Sequence, residues 1–343
     1  MTNRFMLVIV ATLLTCGMLS SQQTFCSPST PKVGVYYYVW YGPSRHWNDI
    51  QANTVVDEPI LGFYSSQNAS IIEQHLKWFR DLNINFMIIS WWGPNSYEDN
   101  ALKTIFSIVK DKGYPIEIVI MVEAFNHSGR YDFKSIYDYI NETYIMPYGS
   151  IYMKLDGLPL VCFFNDNINM TSTENKRNAI RSFTGYSVRI VGQTESYVDW
   201  WAWPMSGQNE APEPRVSRDG YVGLLPRYDD SRLGYGTSTV YDANLTEGLY
   251  DKQWKEVLRL ENENKIKYIA IYSWNEFPER SQIEPHTNSN GEYIVSLYSK
   301  TYHYIQTTPE PPSSPVLPFI IVAVISAVAI LSAIVLCRRR KRS

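Results

Sequence analysis

The chain has 343 residues, of which 45% are hydrophobic, and a formal net charge of −3 at neutral pH. A chain with more acidic than basic residues lacks the basic surface that attracts nucleic acid, so we expect no nucleic-acid partner. Four cysteines are too few for a disulfide framework, and this length can instead support a large hydrophobic core. Cys16 and Cys337 lie in the signal-peptide and membrane-anchor patterns described below, which leaves Cys26, at the end of the first pattern, and Cys162 as the pair for which a single bond stays open.

Residues 1–27 have the pattern of a secretory signal peptide. Arg4 is followed by an apolar run over residues 5–14 and then by small and polar residues. The run is short for a membrane span, although an uncleaved anchor is the alternative reading. We therefore predict that the protein is exported and that residues 1–27 are removed.

Residues 28–306 are predicted to form one domain. Apolar, β-branched and aromatic runs predict strands over residues 33–38, 86–90, 116–122, 158–164, 188–192, 220–225 and 268–274. Amphipathic segments between them predict helices over residues 71–82, 101–112, 133–140, 174–183 and 247–263. Apolar strands that alternate with helices indicate an α/β fold with a covered parallel sheet. Seven or eight such units favour a (β/α)8 TIM barrel, and no Gly-x-Gly-x-x-Gly turn supports a dinucleotide-binding fold.

Polar and aromatic residues follow the predicted strands, at the edge where barrel enzymes place their active sites. They are Tyr38, Trp40 and Tyr41 after the first strand, Trp91 and Trp92 after the second, and Glu123 after the third. Aromatic rings can stack on sugar C–H faces and carboxylates can bind hydroxyls, so the set predicts a saccharide cleft. The alternative is that the aromatic residues fill the barrel core.

The last predicted strand leads into a segment that carries two carboxylates. Glu276 and Glu279 lie three residues apart, and Pro278 stiffens the turn between them. Two neighbouring carboxylates separate their pKa values, as acid/base work on a glycosidic bond requires. On a surface helix the same pair would only form a solvated face. The apolar strand before them favours a buried, catalytic pair.

Other chemistries have weaker signals. The chain has no Gly-x-Ser-x-Gly elbow, which argues against an esterase, and its five histidines lack the spacing of a zinc site. Residues 165–169 resemble a calcium loop, but Met170 and Lys176 stand where Gly and Glu are needed. We predict no metal and no cofactor.

The C-terminal segment has the pattern of a membrane anchor. A Pro-rich spacer over residues 307–315 precedes an apolar run over residues 316–337, long enough to span a bilayer. Residues 338–343 are basic and indicate a cytoplasmic tail. We predict a single-pass cell-surface protein with its large domain outside the cell. Five glycosylation sequons fit an exported surface, at Asn68, Asn126, Asn141, Asn169 and Asn244.

An ordered set of motifs extends over nearly the whole domain. The motifs are Tyr38-Val39-Trp40-Tyr41-Gly42 with His46-Trp47-Asn48, Gly62-Phe63-Tyr64-Ser65-Ser66, Ser90-Trp91-Trp92, Glu123-Ala124-Phe125 with Arg130, Tyr228-Asp229-Asp230-Ser231-Arg232, and Asn275-Glu276-Phe277-Pro278-Glu279-Arg280-Ser281-Gln282-Ile283-Glu284-Pro285. The set resembles glycoside hydrolase family 99, the endo-α-mannosidases, whose signature reads Asn-Glu-Trp-His-Glu-Gly-Thr-Gln-Ile-Glu. Family-99-like proteins of polysaccharide biosynthesis clusters are a looser match.

The resemblance implies a (β/α)8 barrel that retains the anomeric configuration through a 1,2-anhydro sugar. It makes Glu276 the base for the substrate 2-hydroxyl and Glu279 the acid for the leaving oxygen. It also implies a glycan or glycoprotein substrate. The residues that it implies for substrate binding are Glu123, Tyr38, Trp40, Tyr41, His46, Trp91, Trp92, Arg130, Tyr228, Asp229 and Asn275.

Two departures from the family pattern bear on sugar specificity. Phe277 and Pro278 replace the family's Trp-His, which we expect to remove an indole and a hydrogen-bonding ring from the cleft. Alanine and phenylalanine follow Glu123 where proline and tyrosine are common. The sequence therefore predicts an endo-acting α-mannosidase-like glycosidase, and a non-catalytic cell-surface glycan-binding protein on the same barrel is the alternative.

Overall fold

The computed structural model describes residues 30–47, 57–123, 125, 133–164, 188–194, 197–198, 200, 213–234, 238–287, 293–294 and 296–307. Residues Pro31–Thr308 form one compact unit. No helix within these described ranges is both long enough and apolar enough to cross a membrane. The predicted signal peptide, the apolar run over residues 316–337 and the basic tail lie outside the described residues and stay predictions.

Seven parallel strands form the main sheet, and each corresponds to a strand predicted from the sequence. They are β1 (Lys32–Tyr37), β2 (Phe86–Trp91), β3 (Glu117–Val122), β4 (Leu158–Phe164), β5 (Arg189–Thr194), β6 (Tyr221–Leu224) and β7 (Tyr268–Ile271). Two short strands, Lys154–Leu155 and Tyr197–Val198, pair antiparallel with this sheet. Two small separate sheets consist of Tyr228–Asp229 with Val240–Tyr241, and of Glu58–Pro59, His286–Thr287 and Tyr293–Ile294.

The strands follow chain order around the sheet, and the last strand lies beside the first. The sheet runs β6–β7–β1–β2–β3–β4–β5, with Val35 of β1 paired to Ile271 of β7 and to Met87 of β2. An open doubly wound sheet reverses its strand order in the middle, which this sheet does not do. The fold is therefore barrel-like. Closure between β5 and β6 by an eighth strand involves residues outside the described ranges and stays a prediction.

Five α-helices are described. They are α1 (Ala69–Asp81), α2 (Tyr97–Lys112), α3 (Phe133–Ile140), α4 (Leu249–Asn262) and α5 (Ser296–Thr307), and a π-helical turn over Asn141–Ile145 extends α3. The Ser96 hydroxyl caps α2 by accepting from Asp99 N at 3.0 Å. The sequence did not predict α5, whose last residue was assigned to the spacer. The helix predicted over residues 174–183 lies outside the described residues.

Alternate residues of each strand pack into two separate cores. In β2, Met87, Ile89 and Trp91 belong to the core that also contains helix side chains, whereas Phe86 and Ile88 belong to the core that contains the inward-facing tyrosines. This alternation is the period of two that a strand imposes on its side chains. Cys162 is a free thiol buried in the inner core, and Cys26 lies outside the described residues, so the bond between them stays open.

Candidate active site

The loop that follows β7 is closed on itself by hydrogen bonds. β7 ends at Ile271, three residues earlier than the sequence predicted, because Ser273 leaves the sheet and pairs with Ser281 instead. Ser273 N donates to Ser281 O at 3.0 Å, and Ile283 N donates back to Ser273 O at 3.0 Å. The Ser273 hydroxyl accepts from Glu276 N at 2.7 Å. These bonds fix the backbone from which both candidate catalytic carboxylates project.

Two side chains tie this loop to the end of β1. Asn275 is fully buried, and its Oδ1 accepts from Tyr38 N while its Nδ2 donates to Tyr38 O, both at 2.8 Å. The Asn275 amide also donates to the Tyr64 hydroxyl at 3.1 Å. The Tyr41 hydroxyl donates to Asn275 O at 2.7 Å and accepts from Phe277 N at 3.2 Å. Asn275 and Tyr41 therefore anchor the loop to the segment that follows β1.

The Glu276 side chain is buried, and one of its two carboxylate oxygens accepts no hydrogen bond from the described residues. Its side chain is 3% exposed, and its Oε2 has no hydrogen-bond partner among the described residues. Burial, and then the charges of Glu279 and Glu123, raise the pKa of Glu276 well above its ordinary value. Burying a carboxylate oxygen that accepts no hydrogen bond costs free energy, so this oxygen is suited to accept a hydrogen bond from a bound ligand.

Glu279 is half-buried and has hydroxyl donors. Its Oε2 accepts from the Tyr272 hydroxyl at 2.5 Å, and the hydroxyl of Tyr228 also hydrogen bonds to this carboxyl group. Burial raises the pKa of Glu279 to about 7, and the two hydroxyl groups oppose that rise. A carboxyl group with a pKa near neutrality can donate a proton in one step and accept one in the next.

Glu123 lies just beyond β3 and completes the group of carboxylates. It is 7% exposed, and its Oε1 accepts from the Ser90 hydroxyl at 2.7 Å. Ser90 accepts in turn from the Trp92 indole at 3.1 Å. Burial raises the pKa of Glu123 to about 8 against this hydrogen bond, and the charge of Glu279 adds to the rise.

The three carboxylates face one another and Tyr38. Burial raises the pKa of the Tyr38 hydroxyl well above its ordinary range, and the charges of Glu276, Glu123 and Glu279 raise it further. Like charges this close in a buried site cannot all be ionised, so the site holds protons at neutral pH. This arrangement supplies both a proton donor and a proton acceptor.

Aromatic rings extend the site away from the carboxylates. Trp40 is partly exposed and lies 4.6 Å from the Tyr38 ring and 6.2 Å from the Trp92 ring, between centroids. The imidazole of His46 stacks on Trp40 at 4.6 Å with an interplanar angle of 10°. Rings that are partly exposed beside an acid/base group form a surface on which a sugar could stack.

The structure brings most of the predicted site residues together, but some of them face elsewhere. Trp91 is fully buried in the core that contains helix side chains, and its indole donates to Asp99 at 2.8 Å, so it does not line the cleft. Asn275 and Tyr41 support the loop as described above. Asp229 lies beside Glu279, whose backbone O accepts from Asp229 N at 2.8 Å, and the Asp229 carboxylate accepts from Arg280 at 3.1 Å. Arg130 lies outside the described residues.

Phe277, one of the two departures from the family pattern, is buried beneath the loop. Phe277 is fully buried and packs on Trp47 at 5.5 Å, on Tyr41 at 6.2 Å and on His286 at 6.1 Å. Pro278 is also buried. The Phe277 position therefore belongs to the packing beneath the loop, and the expected effect of the replacement on sugar specificity stays a prediction.

Sequence reasoning missed a buried polar network behind the loop. Glu284 Oε2 accepts from the Tyr64 hydroxyl at 2.7 Å, and its Oε1 lies 3.2 Å from His75 Nε2. His75 Nδ1 lies 2.8 Å from the Tyr37 hydroxyl. Burial, and then the charge of Glu284, raise the pKa of Tyr37 well above its ordinary value. A neutral imidazole has one N–H, and the tautomer that carries it on Nε2 donates to Glu284 and accepts from the Tyr37 hydroxyl at Nδ1.

A second buried network lies beside Glu279. Asp57 Oδ2 accepts from Arg227 at 2.6 Å, from Gln282 at 2.8 Å and from Arg280 at 3.4 Å. Burial would raise the pKa of Asp57, but the charges of Arg227, His286 and Arg280 hold it below its ordinary value. No sequence pattern identifies this network, because its members lie on three separate segments.

No cluster of possible metal ligands occurs within the described part of the chain. The segment over residues 165–169 that resembles a calcium loop lies outside it. The carboxylates described above have tyrosine and serine hydroxyls as partners.

Comparisons with known proteins show which family the chain resembles. The profile of "Glycosyl hydrolase family 99" matches residues 42–197, a range that contains Glu123 and ends before Glu276. The chain is 22% identical over 351 residues to a glycoprotein endo-alpha-1,2-mannosidase of Xenopus laevis, covering 82% of this chain and 76% of that protein. It is 25% identical over 346 residues to the Rattus norvegicus protein of the same description, covering 80% of this chain and 73% of that protein.

A solved structure shares the fold. The endo-alpha-mannosidase of glycoside hydrolase family 99 from Bacteroides thetaiotaomicron superimposes with a TM-score of 0.61 at 19% sequence identity. The match covers 81% of this chain and 98% of that protein. The barrel-like arrangement seen in the described strands is therefore shared over almost the full length of that enzyme.

Proposed function

We propose that the chain, which is similar to glycoside hydrolase family 99, is an endo-acting, retaining α-glycosidase that cleaves α-mannosyl linkages within glycans. The observation that carries the proposal is that one closed loop delivers Glu276 and Glu279 to a buried cluster with Glu123. The names of the relatives support mannose-containing glycans as the substrate class.

In the proposed reaction Glu276 and Glu279 act in concert on the sugar to be cleaved. Glu276 takes the proton of the sugar 2-hydroxyl, and O2 attacks the anomeric carbon while Glu279 protonates the leaving oxygen. A 1,2-anhydro sugar and a shorter glycan result. Glu279 then takes a proton from water, which opens the anhydro ring at the anomeric carbon, and Glu276 returns its proton to O2. The anomeric configuration is inverted twice and so retained.

Glu276 must be ionised before this reaction can begin. Glu276 lacks a donor at Oε2, so without substrate it tends to hold a proton. A substrate 2-hydroxyl that donates to Oε2 would stabilise the ionised form of Glu276. Glu279, with a pKa of about 7, would then carry the proton that the leaving oxygen needs. Substrate binding thus sets the protonation states that the chemistry requires.

The deciding experiment incubates the purified full-length chain with α-linked manno- and gluco-oligosaccharides and measures products by mass. We expect release of a disaccharide or larger fragment from an internal α-mannoside, and no release by Glu276→Gln. Glu256→Gln, in the solvent-accessible ion pair with Arg259 on α4, serves as the matched control and should act like the parent chain. Proton NMR of the product at early times should show the α-anomer first.

Two outcomes would overturn the proposal. Saturable binding of the same glycans without cleavage would favour a glycan-binding protein on this barrel. Initial release of the β-anomer would establish an inverting enzyme and exclude the 1,2-anhydro route, because that route inverts the configuration twice.

We also propose that the protein is exported and held at the cell surface by residues 316–337, with the basic residues 338–343 in the cytoplasm. The apolar length and the basic flank support the orientation. Protease treatment of intact cells should remove a tag placed after residue 30 and spare a tag at the C-terminus. Protection of both tags, or release of the protein by alkaline washing, would contradict the proposal.

A further inference from the structure

Tyr272 is the first residue after β7, and its hydroxyl faces Glu279. Its ring packs edge-on against Tyr36 at 5.6 Å and against Tyr38 at 6.1 Å, and the residue is only 7% exposed. The hydroxyl donates to Glu279 Oε2 at 2.5 Å. The two ring contacts restrict the orientation of Tyr272 and hold its hydroxyl against the carboxyl group.

Packing alone does not account for this residue. A phenylalanine would make the same ring contacts with Tyr36 and Tyr38, whereas a phenol must find a hydrogen-bond partner when it is buried. Tyr272 finds that partner in the candidate acid. Hydrogen bonds to an ionised acceptor are short and about twice as strong as those between neutral groups. The hydroxyl therefore acts on Glu279 directly, and it also hydrogen bonds to the Tyr38 hydroxyl.

We propose that Tyr272 is a positioning residue for Glu279, whose Oε2 it holds as an acceptor so that Oε1 carries the proton exchanged with the substrate. The inference rests on the proposed function, in which Glu279 is the acid. It assigns to Tyr272 a role that the sequence motifs did not suggest, and it explains why a tyrosine stands at the end of β7.

The proton of Tyr272 is firmly held, so the hydrogen bond has one direction. Burial and then the charge of Glu279 raise the pKa of Tyr272 well above its ordinary value. The hydroxyl therefore stays a donor to Glu279 across the working pH range. A constant donor stabilises the ionised form of Glu279, which keeps the pKa of this buried group near neutrality.

Other groups also act on Glu279, and the test must separate them from Tyr272. The Tyr228 hydroxyl lowers the pKa of Glu279 and the charge of Asp230 raises it. Glu276 and Glu123 face it as further carboxylates, and Tyr38 faces all three. Since these groups remain in place in a Tyr272→Phe variant, a change in that variant reports the missing hydroxyl.

The primary test compares the pH dependence of kcat/KM on an internal α-mannoside for the full-length chain and for Tyr272→Phe. Loss of the hydroxyl raises the pKa of Glu279, so the alkaline limb should move up by about one to two pH units. We expect kcat at the optimum to fall about ten-fold while KM changes little. A uniformly lower profile with the limb unmoved would overturn the proposal.

Tyr221→Phe is the matched control. Tyr221 is buried in the same core and pairs its hydroxyl with Tyr36 at 2.9 Å, so it loses the same atom from a position that does not bond to Glu279. We expect the alkaline limb of Tyr221→Phe to coincide with that of the parent chain. A limb that moves equally in both variants would show a general loosening of the core and would overturn the proposal.

A second measurement does not depend on activity. Carbon-13 NMR of side-chain-labelled glutamate, with Glu279→Gln for assignment, should show the Glu279 carboxyl titrating near neutral pH and at higher pH in Tyr272→Phe. If the parent chain cleaves no glycan, the proposed function fails while this titration still decides the role of Tyr272. If Tyr272→Phe does not fold, 3-fluorotyrosine at 272, a stronger donor, should move the titration to lower pH, and an unchanged titration would overturn the proposal.

Discussion

Asn275 holds Tyr38 by both of its backbone groups, with an Oδ1···N distance of 2.8 Å and an Nδ2···O distance of 2.8 Å. A neighbouring strand would make the same two bonds, so the side chain continues the sheet after β7 has ended at Ile271. Glu276 is the next residue along the chain. The position of the candidate base therefore depends on the end of the first strand.

We expect Asn275→Ala to lower both stability and turnover. The change leaves the buried N–H and C=O of Tyr38 without partners, which should lower the free energy of unfolding by about 2–4 kcal/mol. Because the loop carrying Glu276 is then free to shift, kcat should fall more than ten-fold with a smaller change in KM. Chemical denaturation and steady-state kinetics measure the two effects.

The exposed Asn100 on α2 provides the control for this change. Asn100→Ala should leave the free energy of unfolding within about 0.5 kcal/mol of the parent value, because surface substitutions rarely do more. Full turnover by a folded Asn275→Ala variant would show that the loop holds Glu276 without Asn275.

A change of leaving group should distinguish the roles of Glu276 and Glu279. Glu279→Gln removes the acid, and general acid–base catalysis contributes about 10²–10⁴-fold, so cleavage of an ordinary glycan should fall by that factor. A glycosyl fluoride needs no proton on its leaving group. Glu279→Gln should therefore release an initial burst of fluoride, whereas Glu276→Gln should release none. Equal loss of the burst in both variants would contradict the assignment.

Glu123 should make the protein less stable as pH rises. Its pKa is about 8 in the folded state and 4.5 ordinarily, so the folded state binds its proton more tightly than the unfolded state does. The resulting stabilisation is complete below about pH 4.5 and is lost as pH rises through about 8. Glu123→Gln keeps the oxygen that accepts from Ser90 and removes the titration.

The melting temperature of Glu123→Gln should therefore fall less between pH 5 and pH 9 than that of the parent chain. At pH 9 the difference in the free energy of unfolding should amount to a few kcal/mol, on the order expected for a shift of this size. If the melting temperatures of the two chains fell equally over that pH range, Glu123 would not be the group that carries the proton.

The sequence predicted the strands and Glu123 because alternating apolar runs and the residues that follow them are local features. The same period of two could have separated Trp91 from Trp92: Trp91 shares the parity of Met87 and Ile89, which face the helices. The bond between Tyr38 and Asn275 joins residues 237 positions apart, and no local pattern indicates such a partner. Buried polar pairs between distant segments therefore emerged only from the structure.

The buried ion pair of Asp57 with Arg227 supports the loop beside Glu279. Removing the charge of one partner should lower the free energy of unfolding. Both side chains are at most 1% exposed, and Asp57 also accepts from Arg280 and Gln282. Asp57→Asn leaves the Arg227 charge buried without a counter-charge, which typically costs 3–5 kcal/mol. We expect a loss of about that size in urea denaturation.

A double variant tests whether the loss comes from the unpaired charge itself. Asp57→Asn combined with Arg227→Gln removes both charges and should recover part of the stability lost in Asp57→Asn, because replacing a whole buried pair is often neutral. Glu263→Gln is the exposed control: its pair with Lys265 is solvent-exposed, so this substitution should leave the urea midpoint close to that of the parent chain. If the double variant lost the sum of both single losses, the cost would lie in the hydrogen bonds of the network and not in the buried charge.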